Sequence, residues 1–197
     1  MKFPVEIVRI IGKVKRYKES EDYLSIYKLK GEMLENFEAL KEDIVFNELV
    51  KSAFYLKIYD EAILLGEELL KRGYESHEEL YYVLLSTLAS NDIYHAFSII
   101  KRSKVITHPA NEQYLISDGA NYSNLLRISY KTPSVLLLFI IVNLINGLIV
   151  EANLGIEITL EYIFGRMLEL IDQLYELGYH KDIISELTEK VKMIFLE

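Results

Sequence analysis

Apolar residues recur every three to four positions along almost the whole chain, the spacing of one face of an α-helix. The pattern predicts a first helix from Pro4 to about Tyr17, with proline suiting its first turn. A second is expected over 21–40, with Ser20 as a candidate N-cap and Gly31 as an internal weak point. Further helices are expected over 43–57, 59–72, 77–90 and 92–104. Lys71-Arg72-Gly73 reads as a helix end, with bases in the last turn and glycine just past it. The connectors are short, so neighbouring helices must run antiparallel. No segment alternates apolar and polar residues as a half-buried strand does. The fold class that follows is all-α: antiparallel hairpins packed on an apolar C-terminal helical bundle.

The stretch 105–133 breaks the pattern. It holds Pro109, Gly119, Pro133 and many Asn and Ser residues, so it reads as an irregular insert or hinge. Three regions are therefore expected in one continuous fold: hairpins over 1–104, the insert over 105–133, and apolar helices over 134–197.

Beyond Ser134, a candidate cap, Val135 to Val150 is sixteen residues without a charge. A membrane span needs about 20, and Asn143 and Asn146 would need partners in lipid, so a buried central helix is expected. An oligomer interface and a membrane helix are the alternatives. The next helix, about Ile156 to Leu177, carries Ile156, Leu160, Ile163, Met167, Leu170, Leu174 and Leu177 at alternating spacings of four and three, a heptad-like seam. Phe164, Leu168, Ile171 and Tyr175 form a second stripe beside it. Two stripes mean burial from two sides, by neighbouring helices or by a second copy. Leu160, Ile163, Met167, Leu170 and Leu174 are thus a candidate homodimer seam. The last helix is expected over about Lys181 to Phe195.

Tyr59-Asp-Glu-Ala62-Ile63 and Ile93-Tyr-His-Ala96-Phe97 each follow one helix and open the next, with the alanines 34 residues apart. Alanine suits that place because a larger side chain would push two packed helices apart. Ala62 and Ala96 should therefore resist a charge, while neighbouring Glu61 should tolerate reversal to lysine. Over residues 43–104 the chain resembles the tetratricopeptide (TPR) repeat family, whose period is 34 residues. Phe46 and Leu49 fall where the family has its helix A aromatic and leucine, with Leu56 at the turn. The second unit supplies Leu80, Val83, Ala96 and Phe97. It departs from the family in Val50 and Leu84 at the small helix A position, in Ala53 and Thr87 at the tyrosine, and in lacking the closing proline. The resemblance implies a groove lined by helix A. Its residues would be Asn47, Lys51, Phe54 and Tyr55 from the first unit and Glu78, Tyr81, Leu85 and Leu88 from the second. It further implies an adaptor or peptide-binding module, with a protein or peptide as partner.

The net charge of −8 argues against a nucleic-acid binder, which needs a basic surface. Residues 1–30 are the exception: eight bases stand against four acids, +4 against −12 for the rest. A lysine-rich first helix with Val5, Val8, Ile11 and Val14 on one side could touch acidic surfaces or a membrane face; the simpler reading is a solvated helix. Met1 to Ile11 lacks the apolar run of a signal peptide, and cysteine is absent, so a reducing, cytoplasmic setting is expected.

No catalytic or cofactor motif emerges. The four histidines never fall at helical spacing to one another, no glycine-rich loop follows a strand, and no nucleophile elbow exists. His77-Glu78-Glu79 reads as acids in a helix's first turn, and the pairs Glu67/Glu68 and Glu78/Glu79 as solvated faces. The chain is expected to be no enzyme and to need no metal or cofactor. The alternatives to an adaptor are a self-associating protein using the 135–177 seam, or a small-molecule or lipid binder with a cavity among the C-terminal helices.

Overall fold

In a computed structural model of the chain, residues 4–107, 133–176 and 181–196 are described, and every regular element among them is helical. In order these are α1 (Val5–Glu19), α2 (Tyr23–Lys28), α3 (Lys30–Glu35), α4 (Phe37–Leu40), α5 (Val45–Tyr55), α6 (Tyr59–Lys71), α7 (His77–Ala89), α8 (Ile93–Arg102), α9 (Lys104–Thr107), α10 (Pro133–Asn153), α11 (Leu160–Glu176) and α12 (Lys181–Phe195). The all-α class is therefore the observed one.

The chain divides into two compact units, Met1–Ser86 and Thr87–Glu197, so the boundary falls inside α7 and not at the stretch 105–133. In the second unit α8 packs on α10, which joins the last hairpin helix to the apolar C-terminal ones. Most of 105–133, like 177–180, lies outside the described residues.

In the first unit α1 packs on α2, and α5 packs on α1, α2 and α6. The expected helix over 21–40 is instead three short helices. The breaks fall at Leu29 and Asn36, while Gly31 sits inside α3. At the second break the Asn36 side chain donates to the Glu32 carbonyl (2.8 Å) and Arg72 donates to the Leu34 carbonyl (2.9 Å). The Leu34 carbonyl thus gains the Arg72 guanidinium, while the Glu32 carbonyl is shared between the side-chain amide of Asn36 and that residue's backbone N–H (3.3 Å). Asp22, rather than Ser20, caps α2, accepting from the Ser25 amide (3.0 Å); Ser20 closes α1 and its hydroxyl turns back to Arg16 and Tyr17.

One turn recurs at three non-glycine positions among the described residues, and Gly73 and Gly155 make the same turn. Glu21, Lys57 and Asn91 all have left-handed backbone, with φ of 53°, 59° and 55°. Each donates to the carbonyl three residues back, and its successor donates five residues back: Asp22 to Tyr17, Ile58 to Ala53, Asp92 to Thr87. This pair of bonds closes the helix C-terminus and throws the chain directly into the next helix. Asp92 repeats the cap of Asp22, accepting from the His95 amide (3.0 Å). Lys57 and Asn91 stand 34 residues apart, as do the fully buried Ala62 and Ala96. Glu61, however, accepts from Tyr27 Oη (3.0 Å) and Lys30 Nζ (2.7 Å), tying α6 back to α2 and α3, so it is not the neutral position expected.

In the second unit α10 is 21 residues long and begins at Pro133, ahead of the expected cap at Ser134. It is long and apolar enough to cross a membrane, yet 72% of its most apolar window is buried in protein. It packs on α8, α11 and α12. Asn143 is buried and satisfied within the helix, its amide donating to the Phe139 carbonyl (2.8 Å). The helix reads as the core of its unit.

Candidate functional site

The residues expected to line a groove divide into two groups. Phe54, Tyr81 and Leu85 are core, and so is Leu88 in the second unit. Phe54 packs on Tyr55, Tyr59 and Tyr82, and Tyr81 on Tyr82, inside the first unit. These positions cannot touch a partner. The cause is α7, whose residues 79–88 are buried on every side, so it presents no open face along that stretch.

Asn47 is also buried, and its role is internal. Its carbonyl oxygen accepts from Tyr74 Oη and from Ser76 Oγ (2.6 Å), and its amide reaches Glu78 Oε2 at 3.5 Å. The loop that Gly73 opens, with φ of 83°, is thereby pinned to α5. Burial pushes the Tyr74 phenol well above its ordinary range, so it stays a hydrogen-bond donor.

Lys51, Tyr55 and Glu78 remain partly exposed, and the structure brings them together. Lys51 Nζ lies 3.9 Å from Glu78 Oε1 and 6.0 Å from the centre of the Tyr82 ring. Tyr82 leans on Tyr55 with centroids 6.0 Å apart, and Tyr55 stacks on Tyr23 at 4.5 Å with the rings 9° from parallel. Burial is the main reason the Tyr23 phenol is pushed up to about 12. At the edge of this row, half-exposed Lys18 pairs with the fully buried carboxylate of Glu48. Burial lowers the Lys18 affinity for protons, but the Glu48 bond and charge and the Glu78 charge outweigh it, and its pKa is raised. The row Tyr23–Tyr55–Tyr82–Lys51–Glu78 thus joins flat aromatic area to a partly exposed ion pair. Tyr23, Tyr82, Lys18 and Glu48 were not anticipated from the sequence. The available signal was weak: Tyr23 follows the first left-handed turn, as Tyr59 follows the second.

Beside this row lies a buried acid. Glu79 is 1% exposed, not solvated as expected. Ser76 caps α7, its hydroxyl accepting from the Glu79 amide (3.0 Å), while Glu79 Oε2 reaches back to the Ser76 amide (3.5 Å). This is a capping box, written openly as Ser76-x-x-Glu79. Among the described residues Glu79 Oε1 has no hydrogen-bond partner. Burial, reinforced by the charge of Glu75 and opposed by the Ser76 amide, holds this carboxyl well above the usual range.

The candidate homodimer seam is mostly interior. Ile163, Met167, Leu170 and Leu174 are buried in the second unit, where α11 packs on α12 and α10; only Leu160, 41% exposed, stands open. The helix begins at Leu160, so Ile156 falls outside it. A cleft of about 370 Å³ runs between α11 and α12, with Ile171 and Ile184 among polar neighbours Asp172, Lys181, Ser185, Thr188 and Lys192. A larger one of about 550 Å³ lies in the first unit beside Arg72 and Leu34–Ala39. Among the described residues no group of three His, Asp or Glu side chains is placed to hold a metal ion. Comparison with protein-family models, with curated proteins and with solved structures finds no match to this chain.

Proposed function

We propose that this chain is a non-catalytic, cytoplasmic protein-interaction module, an adaptor that binds a protein or peptide on the row formed by Tyr23, Tyr55, Lys51 and Glu78. The observation that carries the reading is that row: aromatic rings fixed by stacking, beside an ion pair that is only partly covered. Rigid aromatic area costs little entropy to engage, and a half-exposed pair can exchange its internal partner for a ligand's charge or backbone. The hairpins would then be a degenerate TPR-like array. The spacing of 34 residues between the left-handed turns at Lys57 and Asn91 and the packing of α5 on both helices of the hairpin before it support this.

The test exploits the ion pair. Lys51→Glu combined with Glu78→Lys keeps the pair but reverses its surface charge. Peptides selected on the wild-type protein from a displayed random library should bind the doubly reversed variant at least tenfold more weakly, while circular dichroism shows the variant still folded. Equal binding by both proteins removes this row as the binding site.

A further inference from the structure

Two surfaces of this chain complement one another in charge and in apolar character. The first is the outer face of α1. Val5 and Val8 lie there 86% and 58% exposed, followed along the same side by Gly12, Lys15 and Arg16. Arg9 is held by Glu6 and Glu32 and Lys13 by Glu32, but Lys15 and Arg16 have no ion-pair partner among the described residues. This face belongs to the one basic segment of an acidic chain.

The second surface is the corner between α10 and α11. Val150, Leu154, Ile156 and Leu160 are all exposed there, Leu154 to 77%, which is unusual for a run of large aliphatic side chains. Glu157 and Glu161 stand exposed among them and have no partner among the described residues. The corner is firmly built. Gly155 takes φ of 88°, the Ile156 amide donates to the Glu151 carbonyl (3.1 Å), and Arg166 ties the Glu151 carboxylate (3.1 Å) to α11.

We propose that copies of this chain associate head to tail, the outer face of α1 of one copy seating on the α10–α11 corner of another. The valines cover the corner's aliphatic side chains while Lys15 and Arg16 meet Glu157 and Glu161. A like-on-like pairing of either surface with itself would set base against base or acid against acid, so charge selects the heterologous contact. This interface uses none of the residues of the aromatic row.

Sedimentation velocity of the full chain tests it. The weight-average mass should rise with protein concentration, and the rise should shrink as salt is added. Val8→Glu and Leu154→Glu alter exposed positions, and circular dichroism should show both variants folded. Each alone should be monomeric, yet a mixture of the two should form a discrete one-to-one complex, because one intact face of each kind remains. Reversing all four charges in one chain (Lys15→Glu, Arg16→Glu, Glu157→Lys, Glu161→Lys) should restore association that either reversed pair alone abolishes. A wild-type chain that stays monomeric, or single variants that still self-associate, or a mixture that fails to pair, overturns the proposal.

Discussion

Gly66 of α6 lies directly against Val83 of α7: a Cβ at position 66 would stand 2.3 Å from Val83 Cγ2 and 3.0 Å from Cγ1, with Glu79 Oε1 at 3.2 Å. Gly66 lies in a helix, where glycine costs about 1 kcal/mol relative to alanine, so its value there is the close approach it permits. Gly66→Ala should therefore destabilise the protein by about 1–3 kcal/mol in spite of better helix propensity. Adding Val83→Ala should recover part of that loss, although Val83→Ala alone is destabilising. Urea unfolding of the double-mutant cycle checks the coupling; strictly additive effects would place the two residues out of contact.

Ala62→Asp and Ala96→Asp should each cost several kcal/mol, on the order of 3 or more, because each puts a charge where no side chain is exposed. Glu61→Lys breaks bonds to Tyr27 and Lys30, but the pair is about one-third exposed and screened, so about 1 kcal/mol is expected. Thermal denaturation ranks the three, and comparable small losses at all of them would contradict the packing described for the alanines.

Glu79 gives stability a pH dependence of known sign. Its folded pKa is raised above the reference 4.5, so the contribution is fully present below about pH 4.5 and is lost as pH rises through the folded value. Other carboxylates, such as Glu61 with its lowered pKa, act in the opposite sense, so the informative quantity is a difference. Glu79→Gln keeps the shape without the charge. The stability of wild type minus that of Glu79→Gln should fall as pH is raised above 4.5 and level off once the folded carboxyl has ionised. A flat difference would mean that the carboxyl ionises at no cost.

Helical periodicity locates to within a few residues the helices that keep one apolar face toward a core, marked by Ile7, Ile10 and Val14 in α1 and by Ile163, Met167 and Leu170 in α11. It could not show that α7 is covered all round. Transferring exposed positions from α5 to α7 by a fixed shift therefore placed Tyr81 and Leu85 on a surface they do not reach. Asn47 is buried, against expectation, for another reason. Its partners, Tyr74 and Ser76, lie in a loop whose path depends on Gly73, and periodicity says nothing about loops. Glu79 is legible through the Ser76-x-x-Glu79 signature, although its place in the first turn alone suggests only an acid that suits the helix dipole. Lys51, Tyr55 and Glu78 are partly exposed, while their neighbour Tyr23 belongs to a hairpin with no alanine signal, since Ile26 is the buried residue at the start of its second helix.

The central claim is that the row beside α5 and α7 receives a protein or peptide, and mapping a bound peptide tests it most directly. Backbone amide chemical shifts would be recorded for the full chain as a peptide selected from the displayed library is titrated in. Perturbations should concentrate at Tyr23, Lys51, Tyr55 and Glu78, and should vanish in the variant with Lys51 and Glu78 exchanged in charge. A saturable peptide whose perturbations fall elsewhere, with this row unchanged, would contradict the account.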